Sequence, residues 1–221
     1  MSSFVSRYRD GARAALAVAA TVWFFGVSFG LVARGAEMGV VAPLVMSATT
    51  FAGSAQFAVT SILGASGGAA AAIAAAVLLN ARYAPISISV GPLFHGRLLR
   101  RLLESQLIVD ESWALASRGA GRFDRRILLA AGLLLYLSWI SGTAVGVLAG
   151  DALGDPEDLG LDGAFPALFL ALLTPQLRGP RAGLAAAVGA LIALALIPVT
   201  PPGTPIVAAS AACLLGLRRK P

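Results

Sequence analysis

Long apolar runs decide what this chain can fold into, because they recur along almost its whole length. About 20 apolar residues cross a hydrocarbon core of about 30 Å, and several runs reach or approach that length. Only 13% of the 221 residues are charged and 57% are hydrophobic, a balance that cannot cover a soluble surface. The period-two alternation of a membrane β-barrel is absent. The sequence therefore predicts an all-α protein, a polytopic helical bundle of the inner membrane with six or seven transmembrane helices. The apolar segments are 14–32, 40–64, 69–90, 127–149, 164–177, 182–199 and 206–217.

One short motif occurs twice and suggests an internal repeat with broken helices. The spacing W-x-x-G-x-x-x-G begins at Trp23 and again at Trp139, and each copy precedes a proline-led segment with a glutamine, Gln56 or Gln176. Two units of three full crossings would be inverted relative to each other, as in many transporters. Within the motif, the small-xxx-small spacing lets another helix approach closely. We predict one integral membrane transporter domain, 1–221. Its parts are a first repeat (1–92), a basic cytoplasmic loop (93–126), a second repeat (127–200), and a last helix with a basic tail (201–221).

Positive charge lies in the loops and at the ends, where it indicates topology. Arginines outnumber acidic residues by seven to four in 93–126, which predicts a cytoplasmic loop. Three complete crossings before this loop would leave the arginines of the N-terminus outside. Either the positive-inside rule fails there, or segment 40–64 is a re-entrant hairpin. The repeat favours seven crossings and the charges favour six plus a hairpin. Leucines interleaved with arginines at 97–103 also predict an amphipathic helix on the lipid bilayer's inner leaflet.

Several kinds of chemistry are excluded by composition. Cys213 and His95 are the only residues of their types, so neither a disulfide framework nor a Cys/His zinc site is expected. We expect no metal, no cofactor and, because the arginines indicate topology, no nucleic-acid partner. The sequence Gly64-Ala65-Ser66-Gly67 is similar to the G-x-S-G of rhomboid serine proteases. A nucleophilic serine needs a base, however, and His95 lies beside the basic loop, so we predict that the protein is not an enzyme.

Arg82 is the one charged side chain well inside a long apolar segment, which makes it the first candidate for a functional site. An arginine at a helix centre costs about 2.5–3.5 kcal/mol on insertion scales, so such residues usually face a cavity or a partner. Pro85 lacks a backbone donor and frees carbonyls near Arg82, and Asn80 adds a second polar group. The alternative is that Arg82 snorkels at a membrane edge or binds helix-end carbonyls.

Two further stretches are candidates for irregular or mobile structure. Segment 40–64 is interrupted by small and polar residues, and we predict a helix break around Gly53 and Ser54, where unwound backbone exposes amides and carbonyls. The alternative is an unbroken helix whose polar side chains bond neighbouring helices. Asp110-Glu111-Ser112-Trp113 lies in the basic loop, for which a solvated loop is the commoner outcome and a short gate helix capped by these residues is the alternative.

Five stretches in a fixed order carry a family resemblance. They are the basic start with its glycine-spaced first helix, the runs 51–57 and 79–83, and the runs 110–115 and 198–205. With these the chain resembles the AzlC family of branched-chain amino acid exporters, the large subunit of an AzlC/AzlD-type efflux system. F-A-G-S-A-Q followed by a later N-x-R is a specific combination. The chain departs from the pattern at Tyr83, where histidine is common after the arginine.

The resemblance implies export of leucine, isoleucine and valine from the bacterial cytoplasm, with methionine as a further candidate. It also implies a small membrane subunit of the AzlD type as partner. The alternatives are an exporter of another small solute, and a channel or structural membrane subunit. Passive ion conduction, or the absence of stabilisation by substrate, would favour the channel or structural subunit.

The residues permit a binding scheme for an amino acid. Arg82 would attract the substrate carboxylate, helped by amides around Gly53 and Ser54, while the side-chain carbonyls of Gln56 and Asn80 would accept from the ammonium group. Aromatic side chains of the 51–57 run would form apolar walls. Because no Asp or Glu lies inside a membrane segment, the coupling ion stays open. The predicted substrate-binding residues are Gly53, Ser54, Gln56, Asn80, Arg82 and Tyr83, and the possible gate residues are Asp110, Glu111 and Trp113.

Overall fold

The computed structural model describes residues 2–119, 121–153, 170, 173–174, 177, 180–201 and 204–216, with only the backbone for 2–14 and 151–153. In this part of the chain every regular element is a helix, and β pairing is limited to an isolated bridge between Ser117 and Phe123. The all-α prediction is confirmed. Most of the predicted segment 164–177, including Gln176, lies outside the described residues, as do most of the acidic loop before it and the basic tail.

The helices of the described ranges are joined mostly by short turns. The α-helices are α1 (Ser2–Gly35), α2 (Val41–Thr49), α3 (Gly53–Gly64), α4 (Ala69–Asn80), α5 (Tyr83–Val90), α6 (Leu98–Ser105), α7 (Asp110–Ala116), α8 (Arg125–Leu153), α9 (Pro180–Leu196) and α10 (Thr204–Ala209). Two 3₁₀ helices, Gly91–Leu93 and Ser210–Gly216, follow α5 and α10.

Two of these helices are long and apolar enough to cross a membrane, at Ala15–Gly35 and Arg125–Gly150. A third candidate is the bent pair Ala69–Asn80 and Tyr83–Leu93, which changes direction by 40° between its halves. This segment is therefore kinked. Pro85 lies in the first turn of α5, where a missing backbone N–H costs little, so the chain bends at Ala81 and Arg82.

α1 packs against α8 more extensively than any other described pair of helices, and glycines bring the two backbones together. A Cβ atom added at Gly26 would lie 2.7 Å from the carbonyl oxygen of Trp139. One added at Gly30 would lie 2.5 Å from the carbonyl oxygen of Thr143. The predicted close-approach role of this glycine spacing is confirmed, because any larger side chain would force the helices apart.

The second copy of the motif makes the reciprocal contacts. Cβ atoms added at Gly142 and Gly146 would collide with the carbonyl oxygens of Trp23 and Val27, respectively. The contacts on both helices advance in the same direction along the chain, so α1 and α8 run parallel. The two copies of the motif therefore pack on each other around a local two-fold axis that follows the helices.

This arrangement corrects the predicted inversion. In an inverted repeat the equivalent helices would be antiparallel, whereas α1 and α8 are parallel, so the inverted relation is wrong for this pair. The physical reason is that the glycine spacing encodes a surface for close helix packing. Two helices with the same surface can bind each other, and the repeated spacing reports that contact.

Segment 40–64 is broken, as predicted, and the alternative of an unbroken helix is wrong. α2 ends at Thr49 and α3 begins at Gly53, with Phe51 between them in the left-handed region at a φ of 43°. Such a φ is strained for a bulky residue and persists only where surrounding contacts hold it. The break gives α3 an N-terminus of its own, and the amides of its first turn have no partner within the helix and are available to a site.

The basic loop carries two short helices. α6 exposes its four leucines together with its arginines, which is the amphipathic pattern expected of this stretch. α7 begins at Asp110, and the Ser112 hydroxyl accepts the backbone N–H of Val109 at 3.0 Å, which fixes the start of the helix. The solvated loop expected as the commoner outcome is therefore wrong for 110–116, where the alternative of a short helix is correct. α7 packs on α8 and α1.

Candidate functional site

A cavity of about 100 Å³ lies where α1, α3, α7 and α8 meet the bend between α4 and α5. One side is apolar and the other carries ionisable groups. The apolar lining residues are Val22, Phe25, Phe51, Phe57, Val109, Leu135 and Trp139. The other lining residues are Gly53, Ser54, Arg82, Tyr83, Asp110 and Glu111.

Six of the nine residues predicted for the site line this cavity, although they come from three separate stretches of sequence. Four are predicted substrate-binding residues, and two are predicted gate residues. The remaining three, Gln56, Asn80 and Trp113, do not line it. The fold therefore joins the predicted binding stretch and the predicted gate into one pocket.

Arg82 is held between an acid and an aromatic ring. Its Nη2 atom lies 3.0 Å from Oδ2 of Asp110. The side chains of Arg82 and Asp110 are 35% and 39% exposed, so the ion pair is partly buried. The guanidinium carbon lies 5.2 Å from the ring centroid of Tyr83, within cation–π distance. Arg82 therefore binds an acidic side chain rather than only helix-end carbonyls.

Two buried polar atoms at the pocket have no hydrogen-bond partner among the described residues. They are Nε of Arg82 and Oγ of Ser54. Buried polar atoms are nearly always hydrogen-bonded, and an unpaired one costs about 1–3 kcal/mol, so an exception calls for a ligand or water. Both atoms can donate to an anion, and the N-terminal amides of α3 at Gly53 and Ser54 add further donors.

Glu111 lies beside the Arg82–Asp110 pair on the wall formed by α7. Burial raises the pKa of Glu111 above its usual range, and the adjacent negative charge of Asp110 acts in the same direction. A hydrogen bond to its own backbone and the positive charge of Arg82 oppose this rise in the pKa. The protonated form of Glu111 is therefore favoured more than in an ordinary surface glutamate.

Gln56 has a structural task at the helix break. Its Oε1 accepts the indole N–H of Trp139 at 3.1 Å and the backbone N–H of Ala52 at 3.2 Å, while its Nε2 donates to Oγ of Ser47 at 3.1 Å. The Ser47 hydroxyl in turn lies 2.9 Å from Oγ1 of Thr143. This buried network joins α2, α3 and α8. It leaves Gln56 no access to the pocket, so its predicted contact with an ammonium group is not available in this conformation.

Asn80 and Trp113 also lie away from the pocket. Asn80 lines an open apolar groove between α3 and α4, and its Oδ1 is buried without a partner among the described residues. The indole N–H of Trp113 donates to Oγ of Ser89 at 2.9 Å, and its ring packs on Phe123. Trp113 therefore attaches α7 to α5 from outside the cavity.

Sequence reasoning found Phe51 and Phe57 on the apolar side but missed the residues that α1 and α8 contribute to it. Trp139 is the clearest example, because its ring lies directly below Gly53, where an added Cβ would be 3.0 Å from Cη2. The same ring stacks on Phe29 with their centroids 5.8 Å apart. The repeated tryptophan motif singled out Trp139, but nothing in the local sequence indicated that α8 would face the break between α2 and α3.

Comparison with known proteins identifies the family of this chain. The sequence profile described as "AzlC protein" matches residues 17–153, which is more than half of the chain. The chain belongs to the AzlC family. All pocket-lining residues of this AzlC-family chain, from Val22 to Trp139, fall within the matched span.

Several relatives are membrane proteins by description. An "Uncharacterized membrane protein" of Archaeoglobus fulgidus is 32% identical over 177 residues, covering 76% of this chain and 74% of its own length. "Inner membrane protein YgaZ" of Escherichia coli is 24% identical, covering 87% of this chain and 83% of its own length. "Branched-chain amino acid transport protein AzlC" of Bacillus subtilis is 26% identical, covering 69% of this chain and 61% of its own length. No solved structure matches this AzlC-family chain.

Proposed function

We propose that this AzlC-family protein exports branched-chain amino acids from the bacterial cytoplasm across the inner membrane, together with a small AzlD-type membrane subunit. The observation that carries the proposal is the pocket itself. It combines unpaired buried donors on Arg82 and Ser54 with carboxyl groups opposite an apolar wall. A zwitterionic amino acid with a branched aliphatic side chain has the complementary groups. The printed name of the Bacillus subtilis relative supports the same substrate class.

The substrate carboxylate binds the donors that have no partner. Nε of Arg82 and Oγ of Ser54 receive it, with the N-terminal amides of α3 beside them, while Nη2 of Arg82 keeps its contact with Asp110. The aliphatic side chain packs against Phe57 and Leu135. The ammonium group then faces α7. We assign it to the carboxyl groups of that helix because Gln56 and Asn80 lie outside the cavity.

α7 acts as the gate on the cytoplasmic side. Asp110 and Glu111 at its start line the pocket, and Trp113 links the helix to α5. A displacement of α7 would remove one wall of the pocket and expose the substrate to the cytoplasm. The gate and the binding site therefore share the same carboxyl groups.

Leucine, isoleucine and valine efflux tests the proposal. Cells loaded with dipeptides of these amino acids are expected to release them faster when they contain this chain and its small subunit than when they contain an empty vector. An unrelated inserted membrane protein, expressed at a matched level, controls for leakage. Equal release from both kinds of cell, with this chain correctly inserted, would overturn the amino acid assignment.

We further propose six crossings plus a hairpin. α1 and α8 are parallel, so if both cross the membrane in the same direction, the chain must cross back an odd number of times between them. The bent pair α4–α5 is long enough for one such crossing. α2 and α3 have 9 and 12 residues, so each is too short to cross alone. With segment 40–64 as the hairpin, the basic N-terminus and the basic loop share the cytoplasmic side, which satisfies the positive-inside rule.

Reporter fusions test this topology. A reporter at the N-terminus and one in the 93–126 loop are both expected to be cytoplasmic, and one in the turn at 64–68 is expected to be outside. A fusion within the acidic loop serves as the control for the outer side. An N-terminus and basic loop on opposite sides would contradict the hairpin and restore three full crossings.

A further inference from the structure

The charges of the pocket are unevenly paired. Arg82, at the bend between α4 and α5, is matched by Asp110 of α7, whereas Glu111 has no cation of its own among the lining residues. Tyr83 is the other titratable lining group. The lining residues of α1, α3 and α8 are uncharged. An ionised Glu111 would therefore place a second negative charge against one guanidinium, which is unfavourable in a partly buried site.

A bound amino acid supplies the missing positive charge. Its carboxylate meets Arg82, Ser54 and the positive end of the α3 dipole, which contributes about half an elementary charge. Its ammonium group reaches the α7 side, where Asp110 is already engaged by Arg82. Glu111 is the carboxyl group whose charge is left to balance the ammonium. An opposite charge within about 4–6 Å favours the ionised form of a carboxyl group.

We infer, on the basis of the proposed function, that Glu111 binds either a proton or the substrate ammonium, so that the protein exchanges an amino acid for a proton. When Glu111 carries a proton in the empty pocket, amino acid binding transfers that proton to water while the ammonium takes its place. Proton and substrate then lower each other's affinity by the same factor, as linkage requires. Such an exchange lets protons that enter the cell drive amino acids out of it.

The pH dependence of binding follows with a definite sign. The raised pKa of Glu111 means that the empty pocket carries the proton over a wider pH range than an ordinary glutamate would. Below the pKa of Glu111 in the empty pocket, leucine must displace one proton, so its affinity falls about tenfold for each pH unit. Above that pKa the affinity becomes constant. In a variant without this carboxyl group, the affinity for leucine no longer depends on pH and stays as weak as that of the protonated wild type.

Calorimetric titration with leucine of the purified full-length protein, together with its small subunit, tests the inference. Titrations in buffers of different ionisation enthalpy, at matched pH, measure the protons released. The wild type is expected to release up to one proton per leucine, and Glu111→Gln is expected to bind more weakly without release. Glu37→Gln removes an exposed carboxyl group at the end of α1 and is expected to behave like the wild type.

The outcomes separate the exchange mechanism from the proposed function. If the heat of leucine binding to the wild type were the same in all buffers, no proton would be released. That result would overturn the exchange mechanism and leave the transporter proposal intact. Proton release that persists in Glu111→Gln and disappears in Asp110→Asn would assign the proton to the other acid and overturn the role of Glu111. A wild type that gives no leucine heat in any buffer would overturn the proposed substrate, and the exchange with it.

Discussion

Replacing Arg82 with glutamine is expected to reduce leucine efflux by roughly ten- to a hundredfold. The change removes the cation that pairs with Asp110 and the unpaired Nε donor that would bind the substrate carboxylate. A hydrogen bond to a charged group contributes about 1.5–3 kcal/mol, which corresponds to that factor. Efflux from dipeptide-loaded cells measures the effect, with the amount of inserted protein determined in the same membranes.

Two further variants make this experiment specific. Arg97→Gln removes an exposed arginine of the basic loop and is expected to retain wild-type efflux. Arg82→Lys retains the charge and loses the planar guanidinium with its Nε donor. Its rate of leucine efflux is therefore expected to lie between those of the wild type and Arg82→Gln. If Arg82→Gln exported leucine at the wild-type rate with normal insertion, Arg82 would have no part in substrate binding.

Gly146→Val is expected to destabilise the fold by about 3 kcal/mol or more, because overpacking of a close backbone contact cannot be relieved by a rotamer change. The new Cβ would meet the backbone carbonyl of Val27, and α1 and α8 would have to separate. For a chain of this size the loss corresponds to a melting temperature lower by roughly 6–12 °C. Thermal unfolding of the purified protein in detergent, followed by circular dichroism, measures it.

Gly183→Val is the matched control for this experiment. Gly183 lies within α9, and a Cβ added there meets no atom within 4 Å. The same substitution at this position is expected to leave the melting temperature within a few degrees of the wild type. Equal melting temperatures for Gly146→Val and the wild type would show that the α1–α8 contact is looser than the carbonyl positions indicate.

Local sequence features predicted the elements of this protein well. Gly53 and Ser54 marked the break in segment 40–64, the glycine spacing marked a close helix contact, and Arg82 marked the pocket. Each of these signals depends on residues a few positions apart, so periodicity and the cost of a charge in an apolar segment were sufficient to find them.

The partners of those residues could not be predicted in the same way. Asp110 pairs with Arg82, and Trp139 bonds Gln56, across long stretches of chain. Nothing local distinguishes a glutamine that braces a helix break from one that contacts a substrate, because the same amide groups serve both purposes. The prediction of inversion failed for a related reason, since a repeated spacing does not state whether its two copies contact each other.

The break between α2 and α3 is braced from outside, which limits where the protein can change shape. The phenol of Tyr136 donates to the carbonyl oxygen of Ala48 at 2.7 Å, and the side-chain amide of Gln106 donates to that of Thr49 at 2.8 Å. The carbonyls at the end of α2 are thus fixed by α8 and by the basic loop. α5 and α7 are joined to each other at Arg82–Asp110 and Ser89–Trp113, so in the proposed transport mechanism they would move together while the break between α2 and α3 stays in place.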